Sequence, residues 1–192
     1  MTSAIATTDD ILASICLENL AVYRESEGRL QEDVSQESQV AHDYRGRLVY
    51  ELLQNADDAL VGVATTEDRV LFRLTDTELW VANTGRPFTD ADVRGLCGLG
   101  ASSKAQSQGP KRASIGHKGL GFKSVLEISE SPEAYSETVS FRLGQDHAWT
   151  QVGGLWRELD RGDVRGVPAM RFPLALHEAH GGWAQLRAAG FH

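Results

Sequence analysis

The stretch 50–60, Y-E-L-L-Q-N-A-D-D-A-L, most narrows what this chain can fold into. It holds no helix breaker and is rich in Leu, Ala, Glu and Gln, so it predicts a helix. At 3.6 residues per turn, Glu51, Asn55 and Asp58 share one face, stacked turn above turn. The other side carries Val49, Leu52, Leu53, Ala56 and Leu60, which are the residues expected to be buried. A polar stripe with no Lys or Arg is poorly explained as a solvated surface. Carboxylate, amide and carboxylate on one rigid element suit a metal ion and an activated water. Taken alone, the stripe fits an acidic surface helix equally well.

A second stretch, I-G-H-K-G-L-G-F-K-S-V at 115–125, tips the balance. Glycines alternate there with small or apolar residues, and Lys123 and Ser124 open a further element. Glycine lets backbone N–H groups approach phosphate oxygens, and a following helix N-terminus adds favourable partial charge. Between the two stretches, V-L-F-R-L and L-W-V-A-N read as a hairpin joined by T-D-T-E. The second strand delivers Asn83 at its end, where Gly85 supplies a turn and Pro87 fixes φ. A plain Asn–Thr–Gly turn is the simpler account of that segment. Thr89 and Asp90 cap a short helix, A-D-V-R-G-L-C.

The stretch 98–114 is long and small-residued, with Lys104, Lys111 and Arg112 and no acid. Loops of this kind are lids or disordered segments. Elsewhere, a helix is expected from Thr8, Asp9 and Asp10 onward, and a loop or frayed helix over 25–39, broken by Gly28. The long helix is expected to begin at Tyr44, with His42 just before it as a surface or capping residue. S-V-L-E-I-S reads as a helix start or strand. T-V-S-F-R-L, W-T-Q-V with its following Gly–Gly turn, and A-M-R-F-P-L-A-L read as strands. A last helix, 183–189, ends at Gly190. Stopping at Phe191 and His192, just past a helix-ending glycine, points to a fragment.

With 192 residues, 41% of them hydrophobic, the chain has enough apolar material for one sizeable core and reads as a single domain, 1–192. Its formal net charge of −8 argues against a broad nucleic-acid or anionic-membrane surface, though not against a nucleotide pocket. Cys16 and Cys97 show neither metal spacing nor a disulfide framework and fit the reducing cytoplasm as small core residues. There is no apolar run of bilayer length and no signal-peptide pattern at the N-terminus.

In the order and spacing of its motifs the chain resembles the GHKL superfamily of gyrase, heat-shock chaperone, histidine kinase and MutL-type ATPases. E-L-L-Q-N-A-D-D-A-L is similar to that superfamily's first motif, N-T-G-R-P-F to its second and I-G-H-K-G-L-G-F-K-S to its third. Within it, the chain most resembles the ATPase domain of the ninety-kilodalton heat-shock chaperones and, more closely, the sacsin-type ATP-binding domain. The resemblance spans about residues 44–143. It implies an α/β Bergerat fold, a two-layer α+β sandwich of one mixed sheet with helices on one face, and a mobile ATP lid over 98–114. Carried over by position, Glu51 would activate the attacking water and Asn55 would ligate Mg²⁺. Asp58, Asn83, Gly85 and Phe88 would line the nucleotide site, with Ser103 and Lys104 from the lid. Gly116, Gly119 and Gly121 would present N–H groups to the phosphates, beside Phe122, Lys123 and Ser124. Two departures stand out: Asn83 replaces the Asp that opens the second motif, and no Gly–Thr pair follows Ser124.

The implied function is a slow, Mg²⁺-dependent, chaperone-like ATPase that drives conformational change in a larger chain, with ATP and further domains or a homodimer as partners. A nucleotide sensor without turnover is one alternative. A histidine kinase is the other, although no phosphoacceptor box accompanies His42.

Overall fold

A computed structural model describes residues 8–63, 65–98, 121–178 and 180–192. Three helices open the chain: α1 (Thr8–Glu25), α2 (Glu27–Asp43) and α3 (Leu48–Leu60). A hairpin of β1 (Val70–Leu74) and β2 (Leu79–Asn83) leads to α4 (Asp90–Cys97). After a 3-10 segment at Gly121–Glu127 come β3 (Glu133–Tyr135), β4 (Ser140–Arg142) and α5 (Gln145–Glu158). A short 3-10 turn at Ala169–Arg171, β5 (Leu174–Ala175) and α6 (Gly181–Ala188) follow. The architecture is α/β. In place of the one mixed sheet expected, the described residues form two small antiparallel sheets, β1-β2 and β3-β4-β5.

The hairpin pairs Val70 with Asn83 and Leu74 with Leu79, as the T-D-T-E turn predicts. Thr89 caps α4 in a reciprocal capping box with Asp92. Gly190 adopts φ +83° after α6, and the Phe191 N–H returns to the Leu186 carbonyl. Phe191 then packs with Ala82, Trp183 and Leu186, tying the tail to β2.

Other expectations fail for tertiary reasons. Of the loop or frayed helix expected over 25–39, a helix is what forms, and a regular one: the stretch supplies most of α2, capped by Ser26. Its inward face carries Leu30, Asp33 and Glu37, and the two acids find partners inside the protein. Tyr23 Oη donates to Asp33 at 2.8 Å, and Arg29 and Arg171 approach it at 3.0 and 3.1 Å. Glu37 accepts the N–H groups of Ala169 and Met170 at 2.8 and 2.9 Å. Helix α3 starts at Leu48 rather than Tyr44, because residues 44–47 form a turn with Gly46 at φ +76°.

W-T-Q-V and its Gly–Gly pair lie within α5 and form no strand or turn. Ala148, Val152, Leu155 and Trp156 recur at helical spacing and are buried against α1 and α2, which outweighs the propensity cost of about 1 kcal/mol per glycine. A-M-R-F-P-L-A-L holds a 3-10 turn and only the two-residue β5, and S-V-L-E lies in the 3-10 segment. The core of α1, α4 and β4, with Leu12, Ile15, Val93, Leu96, Phe141 and Leu143, backs onto this 3-10 segment through Phe122 and Leu126. Cys16 and Cys97 are both buried and unpaired. Apart from Gly98, the stretch expected as a lid lies outside the described residues.

Candidate functional site

Helix α3 turns its acid–amide–acid stripe toward the protein, which reverses the expected burial of two apolar residues. Val49 and Leu53 are 58% and 47% exposed, whereas Glu51 is only 7% exposed. Leu48 and Ala56 complete the buried side. Gly121 makes room for the Glu51 carboxylate: a Cβ added there would fall 1.9 Å from Glu51 Oε2 and 2.7 Å from its Cδ. The partner Glu51 has among the described residues is Arg47, one turn back, half-exposed and 3.3 Å from Oε1.

Above Glu51 the helix borders a cavity of about 550 Å³. Asn55 and Asp58 line it from α3, Asn83, Arg86 and Phe88 from the end of β2 onward, and Phe122 from the 3-10 segment. Glu51 is not among the lining residues; it lies at the edge, one turn below Asn55. This volume falls in the range of small-molecule sites, and the lining mixes apolar walls with a few polar groups.

The loop after β2 is held at both ends. Gly85 packs onto the last turn of α3, where an added Cβ would meet the Ala59 carbonyl at 2.7 Å. The next amide, Arg86 N–H, donates to that carbonyl at 3.0 Å and satisfies a helix-end acceptor. Asn83 Oδ1 accepts the Gly85 N–H at 2.9 Å. Phe88 is fixed through its N–H to Ser136 Oγ at 3.0 Å and its carbonyl to Thr138 Oγ1 at 2.7 Å. The Arg86 guanidinium grips Asp92 in a forked pair and holds that carboxyl well below the usual carboxylate range.

Two residues of the glycine-rich stretch take roles other than those expected. Lys123 does not line the cavity; it is fully buried, and its Nζ donates to the Leu96 and Gly98 carbonyls at 3.3 and 2.6 Å, closing the C-terminus of α4. Burial pushes its ammonium down to about 8, against an opposing pull from Glu37. Ser124 is also fully buried, with Oγ donating to the Gly121 carbonyl at 2.7 Å. Gly116, Gly119, Ser103 and Lys104 lie outside the described residues.

Sequence reasoning missed the aromatic wall. Trp80 stacks on Tyr135 with centroids 6.1 Å apart, Tyr135 stacks on Trp183 at 5.8 Å, and all three line the cavity. The available signal was a tryptophan inside a short alternating strand, but its partners come from β3 and α6. Among the described residues, no group of three or more His, Cys, Asp or Glu side chains could hold a metal ion. No helix among them is long and apolar enough to cross a membrane.

A family model described as the Sacsin domain matches residues 36–143, from within α2 to the end of β4, a range that holds α3, the loop after β2 and the 3-10 segment but not α6. Protein NO VEIN of Arabidopsis thaliana is 30% identical over 165 residues, which is 85% of this chain and 6% of that protein. The chain therefore spans a small part of that relative's length. No solved structure matches the chain.

Proposed function

The chain belongs to the sacsin-domain family, and from that premise we propose that it is a Mg²⁺-dependent ATP-binding and ATP-hydrolysing domain of the GHKL superfamily, with a Bergerat fold, that drives conformational change in a larger chaperone-like protein. The observation that carries this reading is the seat of Glu51. A carboxylate is buried in a notch that only glycine at 121 permits, one helical turn from an amide that opens on a nucleotide-sized cavity.

Asn55 offers Mg²⁺ its amide oxygen. That suits an ion that keeps several waters and takes most of its other ligands from substrate phosphates, so no three-carboxylate cluster is needed. The ion would neutralise charge on the phosphates. Glu51, beside Asn55 and outside the cavity proper, takes the proton of the attacking water without touching the base or sugar. Asp58 and Asn83 line the cavity where the rest of the nucleotide would lie, and the Arg86–Asp92 pair holds the loop that carries Asn83 against α3.

A sensor without turnover is the second reading. Arg47 already sits 3.3 Å from Glu51, and a carboxylate kept in that ion pair leaves binding intact while withholding the base.

Phosphate release and nucleotide titration in Mg²⁺, on Glu51→Ala and Asn55→Ala, test the proposal. Glu51→Ala should keep its ATP affinity and lose about 10²–10⁴-fold in turnover, whereas Asn55→Ala should weaken the Mg²⁺–ATP complex itself. Wild-type binding without turnover selects the sensor. A Glu51→Ala variant that hydrolyses ATP at the wild-type rate sinks the mechanism.

A further inference from the structure

Arg47 and Asn55 flank Glu51, one helical turn to either side of it. Asn55 lines the cavity and Arg47 does not. The two oxygens of Glu51 are divided between the walls of its seat: Oε2 lies over Gly121, and Oε1 is 3.3 Å from the Arg47 guanidinium. The carboxylate is thereby drawn toward the start of α3, away from Asn55 and the cavity. Arg47 has a second place to rest. Its guanidinium carbon is 5.4 Å from the Tyr44 ring centroid and 6.0 Å from that of Tyr50. Gly46, at φ +76°, turns the chain just before Arg47, and its N–H donates to Glu127 Oε2 at 2.9 Å. That bond ties the turn to the same 3-10 segment that begins at Gly121. The Arg47 side chain is half-exposed, makes no capping bond to α3 and has no other partner among the described residues.

Resting on the ATPase reading above, we propose that Arg47 is a positioning residue that restrains the general base. Paired with Oε1, it keeps Glu51 back from the cavity; released onto the Tyr44 and Tyr50 rings, it lets the carboxylate reach the attacking water. The magnitudes make this a graded brake and not a lock. An exposed ion pair shifts an equilibrium by about fivefold at most, and a cation over an exposed ring by about two- to fivefold. The two seats are matched, so neither holds the arginine all the time. Turnover is therefore limited by the fraction of molecules in which Glu51 is free, while ATP affinity, which Arg47 does not touch, is set elsewhere.

The experiment measures phosphate release at saturating Mg²⁺–ATP, and ATP affinity by titration, on the wild type, Arg47→Gln, Tyr50→Leu and the double variant. Both side chains are largely exposed, and a thermal melt checks that each variant folds. Arg47→Gln should raise kcat by about two- to fivefold and leave ATP affinity unchanged within about twofold. Tyr50→Leu removes one of the two rings, leaves the arginine with Glu51 for longer, and should lower kcat by about twofold, again without a change in affinity. With Arg47 already replaced, Tyr50→Leu should have no effect on kcat. A merely structural role for Arg47 would not move the two single variants in opposite directions or make one effect depend on the other. An Arg47→Gln variant no faster than the wild type, or a Tyr50→Leu loss that persists without Arg47, overturns the inference, and intact ATP binding then leaves the nucleotide site standing. If one single variant fails to fold, the other decides. ATP binding by none of the proteins overturns the nucleotide reading, and this inference with it.

Discussion

Among the described residues, buried carboxylates occur in two places, and they are held in opposite ways. In the seam under α2, Asp33 is held by Tyr23, Arg29 and Arg171, and both oxygens of Glu37 take backbone N–H groups of the 3-10 turn at Ala169–Arg171. On α3, Glu51 has one half-exposed arginine and a notch over Gly121. The seam spends its charges on joining elements distant in sequence. The α3 carboxylate is kept dry and nearly unspent beside a cavity, an arrangement that suits chemistry better than stability.

The largest effect that separates the two regions should be in stability. Asp33→Ala leaves the mostly buried Arg171 guanidinium without its carboxylate and should cost about 3–5 kcal/mol in urea unfolding. Glu51→Ala frees only an exposed arginine and should change the same transition by less than about 1 kcal/mol. Equal losses at the two positions would mean that the two carboxylates are held alike.

A smaller effect sharpens the picture of the notch. Gly121→Ala drives a Cβ into the Glu51 carboxylate and should destabilise by about 1–3 kcal/mol. The penalty should shrink in the Glu51→Ala background, where the two nearest clashing atoms are gone, giving a coupling above about 0.5 kcal/mol. Strict additivity in that double-mutant cycle would mean the carboxylate does not occupy the glycine notch.

The smallest effect concerns Lys123, which joins the seam to the end of α4. Its folded-state value of about 8 lies below the ordinary 10.5, so between those values the unfolded chain holds a proton that the folded chain has released. Stability from this group therefore rises with pH across that window. Relative to Lys123→Met, the wild type should gain about 1 kcal/mol per pH unit at most between pH 8 and 10. A gap between the two proteins that stays constant over that range would show that Lys123 keeps its proton in the folded state.

Much of the site's wiring is legible in the sequence. Helical periodicity alone put Glu51, Asn55 and Asp58 on one face of α3, and turn chemistry put Asn83 at a strand end with Thr89 capping the next helix. Gly190, followed by Phe191, likewise announced the end of α6. These are local matters, decided within a few residues by φ/ψ preference and side-chain spacing. The direction in which a face points is not local. The sequence showed that α3 has an acidic side and an apolar side, and ordinary burial would have turned Val49 and Leu53 inward. Gly121, far along the chain, gives the Glu51 carboxylate a place to enter, and the apolar pair is left outside. In the same way α2 reads as a loop or a frayed helix until Arg171 and the amides of Ala169 and Met170 supply partners for its two inward acids. Lys123 follows the same rule, since carbonyls at the end of α4 claim an ammonium that the family resemblance placed beside the phosphates. Periodicity determined which side chains travel together, and only the tertiary structure decided what they meet, because the partners that offset the cost of burying a charge lie far away in sequence.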